Sequence, residues 1–185
     1  MILESVVTTR QEDGSAYIAP LGLHVEGSHL IIAPFRPSHT LENLKREGHA
    51  VVNWTTDVRL FAGPVTGRRA WPVIALDTFP GYRLEACHTH AELKVIAIEE
   101  DPQRPRFRCE ITHEETHSPF RGFVRAQAAV VEAAILVTRL HMLPKEKVES
   151  ELLYLQIAIN KTAGPIELEA WSWIMQRIDT WRNAS

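Results

Sequence analysis

The sequence changes its repeating pattern near residues 113–122, and this change restricts the fold more than any other feature. Up to about residue 112, short apolar runs are separated by turn signals such as Asp13-Gly14 and Glu26-Gly27. Five to seven short strands in this arrangement are typical of an antiparallel barrel or sandwich rather than a parallel sheet. The second run, residues 16–25, is expected to continue as a strand, although Pro20 and Gly22 would interrupt a central ladder. Two later strands, within residues 82–102 and 106–114, are expected to pair across the turn DPQRP.

After Pro119 the patterns are helical. The segment 126–143 is rich in alanine, which favours helices. Segments 144–164 and 165–181 predict two amphipathic helices, because apolar residues recur there at intervals of three or four. These residues are Val148, Leu152, Leu155 and Ile159 in the first helix, and Ile166, Ala170, Ile174 and Ile178 in the second. We therefore predict an α+β chain with two domains, residues 1–118 and residues 119–185.

The composition narrows the range of partners and locations. A formal net charge of −3 at pH 7 does not favour a general nucleic-acid binder. The N-terminal residues lack the pattern of a secretory signal, and no apolar run approaches the roughly 18 residues of a membrane helix. Cys87 and Cys109 have no CxxC spacing and are expected to be free thiols. We predict a cytoplasmic protein that binds neither nucleic acid nor membranes, with solvated basic clusters at residues 68–69 and 104–108.

Residues 33–44, APFRPSHTLENL, gather polar groups where a predicted strand passes into a short helix. Thr40 is predicted to be the N-cap, with Asn43 three residues later in an incomplete capping box. Arg36 has a planar guanidinium suited to phosphate, Ser38 and Thr40 supply hydroxyl groups, and the helix offers free backbone N–H groups. These groups predict a phosphate-binding corner that uses neither lysine nor magnesium. A plain helix cap with a solvated arginine explains the same spacing equally well.

Two histidine-containing stretches resemble metal sites. Residues 113–117, HEETH, match the zinc-protease motif, which requires a helix so that both histidines share a face. A strand pattern precedes the motif and Pro119 follows it, so we expect an exposed connection at this point. In Cys87-His88-Thr89-His90, two histidines would share one side of a strand, but the sequence identifies no further ligand. We therefore predict no metal site.

Two ordered segments resemble a known family: VVTTRQEDGSAYIAPLGL, residues 6–23, and LIIAPFRPSHTLENLKREGHAVVNW, residues 30–54. They resemble the FMN-binding split-barrel superfamily, which includes flavin reductases and pyridoxamine-phosphate oxidases. The order of the motifs is most similar to a two-part family of methanogens and methylotrophs with a helical C-terminal region. Segment 119–140 also resembles that region, although Val124 stands where Asn is expected. The resemblance implies an antiparallel split β-barrel followed by a small helical C-terminal subdomain.

The same resemblance implies FMN as the cofactor. Arg36, Ser38 and Thr40 would hold its phosphate, and Asn53 would either contact the flavin or tie the end of its strand to the helix. The isoalloxazine edge would be lined by two side chains of the first strand and by backbone of the second, namely Thr8 and Thr9, and Ala19, Pro20, Leu21 and Gly22. Ordinary β-branched strand filling is the alternative role of the two threonines.

The function implied by the resemblance is that of a flavoprotein, an oxidoreductase or flavin-reductase-like protein acting on an unknown small molecule. A homodimer with the flavin near the subunit interface is also implied. The roles of His24, His39, Arg121 and Arg125 stay open, and no residue is identified as catalytic. The alternatives are a non-catalytic FMN carrier or structural flavoprotein, and a split barrel that binds haem or a deazaflavin.

Overall fold

The computed structural model describes residues 1–184, which contain eight strands and five helices. In chain order these are β1 (Ile2–Arg10), β2 (Ala16–Glu26), β3 (His29–Ile32), α1 (His39–Glu47), β4 (His49–Trp54), α2 (Arg59–Val65), β5 (Val73–Ala75), β6 (Tyr82–Leu84), β7 (Thr89–Glu99), β8 (Arg106–Thr116), α3 (Arg125–Thr138), α4 (Lys145–Thr162) and α5 (Pro165–Ala184).

Six strands form a closed barrel in the order β1-β2-β3-β8-β7-β4, and β4 pairs back with β1. Every neighbouring pair is antiparallel. β5 and β6 form a separate two-stranded sheet. The barrel is filled by side chains such as Val7, Leu23, Leu93 and Phe107, which are fully buried. The prediction of an antiparallel barrel followed by helices is confirmed.

The second strand continues through Pro20 and Gly22, as expected, and its pairing with β1 runs past both residues, so the expected interruption of the ladder is absent from this edge. Pro20 pairs with Val6 of β1, whereas within residues 1–184 β3 pairs with β2 only at His24–Glu26. Proline is tolerated because no strand pairs with its other edge, so no ladder hydrogen bond is lost there. A Cβ at Gly22 would lie 2.8 Å from Cγ2 of Ile2, so glycine permits the close approach of β1.

The hairpin of β7 and β8 was predicted across the turn DPQRP, and the structure confirms it. The predicted strand that precedes it is broken at residues 85–88, which separate β6 from β7. Residues 90–93 of β7 are buried, whereas residues 94–99 of β7 and 111–116 of β8 are largely exposed. Ile96, Ile98 and Ile111 are 39–46% exposed there.

The described chain separates into two compact units. One comprises Met1–Thr55 with Ala70–Phe120, and the other comprises Thr56–Arg69 with the chain from Arg121 onward. The predicted division at residue 118 did not anticipate that segment 56–69 groups with the C-terminal helices. Val58 and Ala62 are buried in the helical core, which is why α2 belongs to it. A helix of seven residues is too short for its periodicity to identify its packing partner.

The helical unit has an alanine-lined centre. Ala126, Ala129, Ala133 and Ala134 of α3 are buried, and small side chains let the neighbouring helices approach closely. The predicted apolar residues of α4 and α5 are buried or half-buried, with one exception. Ile166 is 40% exposed. Glu167 is buried instead and accepts hydrogen bonds from the Gly164 N–H at 2.9 Å and from Gln127 Nε2 at 3.1 Å.

Both cysteines are buried free thiols, as predicted. Burial raises the pKa of Cys87 and raises that of Cys109 to about 12, so neither is a reactive thiolate at neutral pH. Among residues 1–184, no helix combines the length and the apolar character needed to cross a membrane.

Candidate functional site

The corner between β3 and α1 is organised by Ser38. Its backbone is extended, with φ −158° and ψ 149°, and its Oγ accepts a hydrogen bond from the Leu41 N–H at 3.3 Å. Ser38 is therefore the N-cap, and the prediction of Thr40 for this position is wrong. Both residue types suit a cap, and only the backbone shows that the helix has already begun at His39. Gly48 ends α1 in the left-handed conformation, which glycine adopts without strain.

Thr40 lies in the first turn of α1 and is 3% exposed. Its hydroxyl makes no hydrogen bond to any residue from 1 to 184. The first turn of a helix also leaves backbone N–H groups without partners inside the helix and carries a partial positive charge. The corner thus offers the hydroxyl of a largely buried residue and the N–H groups at the start of the helix, which together suit an anionic ligand.

Arg36 is directed toward the turn between β7 and β8. Its guanidinium forms an ion pair with Glu100, and Nε donates to the Asp101 carbonyl at 3.1 Å. The Arg36 backbone N–H donates to the Gln103 carbonyl at 2.9 Å. The side chains of Arg36 and Glu100 are 32% and 64% exposed, so this pair stands in solvent and not in the core.

Arg104 also holds this corner, and its role was missed in the sequence. Its guanidinium donates to the Ala33 carbonyl at 2.9 and 3.1 Å and lies 4.3 Å from the centre of the Phe35 ring. Arg106 and Arg108 pair with Glu26. The prediction of a solvated loop at residues 104–108 is therefore wrong. The groups that bind these arginines lie about 70 to 80 residues earlier in the chain, so the local sequence pattern could not indicate them.

Thr9 connects the first strand to α1. Its Oγ1 accepts a hydrogen bond from Asn43 Nδ2 at 2.9 Å, and both residues are buried. Asn43 Oδ1 in turn accepts from Arg46 at 3.2 Å. The side chain predicted to complete a capping box therefore docks the helix on the barrel instead.

Thr8 and Asn53 form a second buried network on β1 and β4. Asn53 Nδ2 donates to the Val6 carbonyl at 3.1 Å, and its Oδ1 accepts from the Leu84 N–H at 2.7 Å. The Thr8 hydroxyl lies within hydrogen-bond distance of the Val51 and Tyr82 carbonyls. Asn53 thus ties its strand to β1 and β6 rather than to the helix.

The two threonines do not line one surface. Adjacent residues of a strand face opposite sides, and accordingly Thr9 contacts α1 whereas Thr8 contacts Tyr82 at the start of β6. Ala19–Gly22 lie in the middle of β2, paired with Glu4–Val7 of β1 and half-buried. The Tyr17 and His39 rings lie 5.1 Å apart, which links the start of β2 with the start of α1.

The two histidine motifs lie on strands. Residues 113–116 belong to β8, so HEETH is not helical, as its context predicts, but these residues extend the strand and do not form the expected connection. His88 precedes β7, and its Nδ1 lies 2.7 Å from Ser118 Oγ. His90 is the second residue of β7, and its Nδ1 lies 2.8 Å from His117 Nε2. The two histidines of CHTH therefore have separate partners.

Two family models match the chain in succession. Residues 3–118 match the model described as "Protein of unknown function (DUF447) N-terminal domain", and residues 124–176 match the model described as "Protein of unknown function (DUF447)". The resemblance to a two-part family is thereby confirmed. Among curated proteins, none matches this chain.

Solved structures with the same fold include flavin proteins. An FMN-bound protein from Methanosarcina mazei is 21% identical, with a TM-score of 0.83 over 95% of this chain and 94% of that one. Flavoredoxin from Methanosarcina acetivorans is 15% identical, with a TM-score of 0.53 over 63% and 69% of the two chains. The styrene monooxygenase flavin reductase from Pseudomonas putida S12 is 11% identical, with a TM-score of 0.52 over 61% and 77%. These similarities establish the split-barrel fold that the resemblance implied.

Proposed function

This chain belongs to the DUF447 family, and we propose that it is an FMN-binding flavoprotein with flavin-reductase-like chemistry. The observation that carries the proposal is the similarity, over nearly the whole chain, to the FMN-bound protein from Methanosarcina mazei. The flavin reductase and flavoredoxin that share the barrel support the same cofactor class.

The corner between β3 and α1 fits the phosphate of FMN. Thr40 is largely buried in the first turn of α1, and Ser38 caps the same turn, where helix N–H groups can donate to an anion. An FMN phosphate would supply the acceptors that these donors lack. We propose Ser38, Thr40 and Arg36 as the phosphate-binding residues, with the backbone of Ala19–Gly22 along the flavin edge.

Arg36 reaches a phosphate only if it leaves Glu100. An exposed ion pair contributes about 0–1 kcal/mol, whereas a hydrogen bond to a charged group contributes about 1.5–3 kcal/mol. Exchanging a solvated carboxylate for a doubly charged phosphate is therefore favourable. Thr8 and Asn53 have internal partners, so we assign them to holding the barrel strands that carry the site.

FMN supplies hydride and single-electron transfer when it is bound, and the protein contributes binding, orientation and exclusion of water. The protein is expected to purify with a yellow chromophore whose released mass is that of FMN. Bleaching by NADH or NADPH followed by catalytic turnover would support an oxidoreductase, and bleaching without turnover would support a carrier. A haem Soret band or a deazaflavin mass would contradict the proposal.

We infer that the protein is a homodimer that buries Ile96, Ile98 and Ile111 of the β7–β8 hairpin, because several exposed large apolar side chains on one hairpin are typical of an interaction surface. Light scattering should give twice the chain mass of 21.0 kDa. Ile98→Lys, at a position 46% exposed, should shift the protein to the monomer. Leu153→Lys, at a position 72% exposed on α4, is the control and should leave the mass unchanged. A monomeric wild-type protein would contradict the inference.

A further inference from the structure

A cluster of histidine and glutamate side chains lies on one face of β7 and β8. In the strand register His90 is opposite Glu115 and Glu92 is opposite His113. Because alternate residues of a strand share a face, His117, two residues after Glu115, extends the same row. Residues 74–78 and Arg83 line the other side of a cavity of about 400 Å³ to which all five side chains contribute.

The centre of the cluster is a buried pair of imidazoles. His90 is 1% exposed, and its ring is nearly parallel to that of His117, with an angle of 9° between them. His90 Nδ1 and His117 Nε2 lie 2.8 Å apart, a distance at which one proton is shared between them. Burial, followed by the nearby His117, lowers the pKa of His90.

The other nitrogen of His90 has no hydrogen-bond partner among the described residues. Its nearest charged group is Glu92 Oε1 at 3.8 Å, which is too far for a hydrogen bond. If Nε2 carries a proton, a buried donor is unsatisfied, and if it does not, a lone pair faces a carboxylate. The cluster is therefore incomplete as a set of protein groups alone, since buried polar atoms are normally partnered.

We propose that His90, Glu115 and His117 bind a divalent transition-metal ion of the zinc class. Glu92 lies beside Nε2 of His90, the nitrogen that does not bind the ion, and orients the ring. Two imidazoles and one carboxylate are a ligand set that suits such ions and leaves a position open for water or another ligand. A metal ion would replace the proton between the two rings. His90 Nε2 would then carry the proton, and Glu92 would have to approach from 3.8 Å to accept it, as carboxylates commonly do from histidine ligands.

The geometry requires modest adjustment. The three ligand atoms lie within 4.8 Å of one another, whereas ligands about 2.0–2.2 Å from a tetrahedral ion are roughly 3.3–3.6 Å apart. The Glu115 side chain is 57% exposed and the His117 side chain is 19% exposed, so both have room to rotate. His90 is held by its burial and serves as the fixed ligand.

The surrounding charges favour a cation. Glu92 and Glu115 contribute two carboxylates, and Asp77 also lines the cavity. Arg83 is the opposing cation on this lining, and its Nη1 donates to the Leu84 carbonyl at 3.2 Å. Three carboxylates facing one guanidinium leave a negative balance that a divalent ion offsets. This placement does not depend on the flavin site, and the two proposals can fail separately.

Tag-free protein should be titrated with Zn²⁺, and with Co²⁺ for its visible absorption, and its metal content should be measured after dialysis. We expect about one ion per chain. His117→Ala and Glu115→Gln should each weaken binding by about 100-fold or more, and Glu92→Gln by about 10-fold with unchanged stoichiometry. Glu114→Gln is the matched control, because it removes the same charge one residue away on the opposite face of β8 and should bind like wild type.

Circular dichroism and the flavin content of each variant separate loss of metal from loss of fold or cofactor. The proposal is overturned if wild type binds no stoichiometric metal, or if His117→Ala and Glu114→Gln bind equally well. Loss of flavin with unchanged metal binding in Glu115→Gln would also overturn it, and would assign the cluster to the flavin site.

Discussion

Replacing Arg36 with alanine is expected to weaken FMN binding by about 10- to 100-fold and to leave riboflavin binding unchanged. The proposed contact is a charge-assisted hydrogen bond to the phosphate, which riboflavin lacks. The side chain is 32% exposed, so its removal should not disturb the barrel. Titration of flavin-free protein, followed by quenching of flavin fluorescence, measures both dissociation constants.

Glu100→Gln is the matched variant for this prediction. It removes the carboxylate that competes for Arg36 in the structure, so FMN affinity should rise by up to about fivefold, the effect of an exposed ion pair. An equal loss of FMN and riboflavin binding in Arg36→Ala would place the arginine at the flavin ring or show damage to the fold. Unchanged FMN affinity would refute the assignment of Arg36 to the phosphate.

Replacing Asn53 with leucine is expected to lower the free energy of unfolding of the barrel by about 3–5 kcal/mol, because it leaves buried backbone groups without partners. The Leu84 N–H would lose its acceptor at 2.7 Å, and the Val6 carbonyl would lose its donor at 3.1 Å. Leucine is similar to asparagine in size, so most of the effect comes from lost hydrogen bonds and little from a cavity.

Urea unfolding measures the change in stability, and hydrogen exchange of peptides from β4 and β6 locates it. Asn160→Leu is the control, since Asn160 is exposed on α4 and its Oδ1 accepts one hydrogen bond, from Gln156. That variant should change stability by less than about 0.5 kcal/mol. If Asn53→Leu were equally mild, Asn53 would not be a structural tie and its flavin-contact role would regain support.

Much of the candidate site could be predicted from local sequence. Ser38 and Thr40 both suit a helix start, and the apolar run before them indicates a strand, so the strand-to-helix corner was located correctly. The identity of the cap was not, because two hydroxyl residues two positions apart satisfy the same rule. The partner of Arg36 could not be predicted at all, since Glu100 is separated from it by 64 residues.

The histidine cluster also combines a feature that the local sequence indicates with one that depends on strand pairing. As a helical metal motif, HEETH is disfavoured by the strand pattern that precedes it. On a strand, His113, Glu115 and His117 share a face by their spacing of two, and this signal was present in the sequence. The buried member, His90, joins them only through the pairing of β7 with β8.

The sequence by itself determined the local features of this protein: the alternating strands, the hairpin across DPQRP, the helical region after Pro119 and the buried thiols. These depend on side-chain period, turn chemistry and hydrophobicity over a few residues. Only the tertiary structure decided the closure of β4 on β1, the transfer of α2 to the helical unit and the ion pair of Arg36 with Glu100. Each of these joins residues that are far apart along the chain. The periodicity of one segment reflects which of its residues are buried, but it does not indicate which distant segment packs against them or binds them.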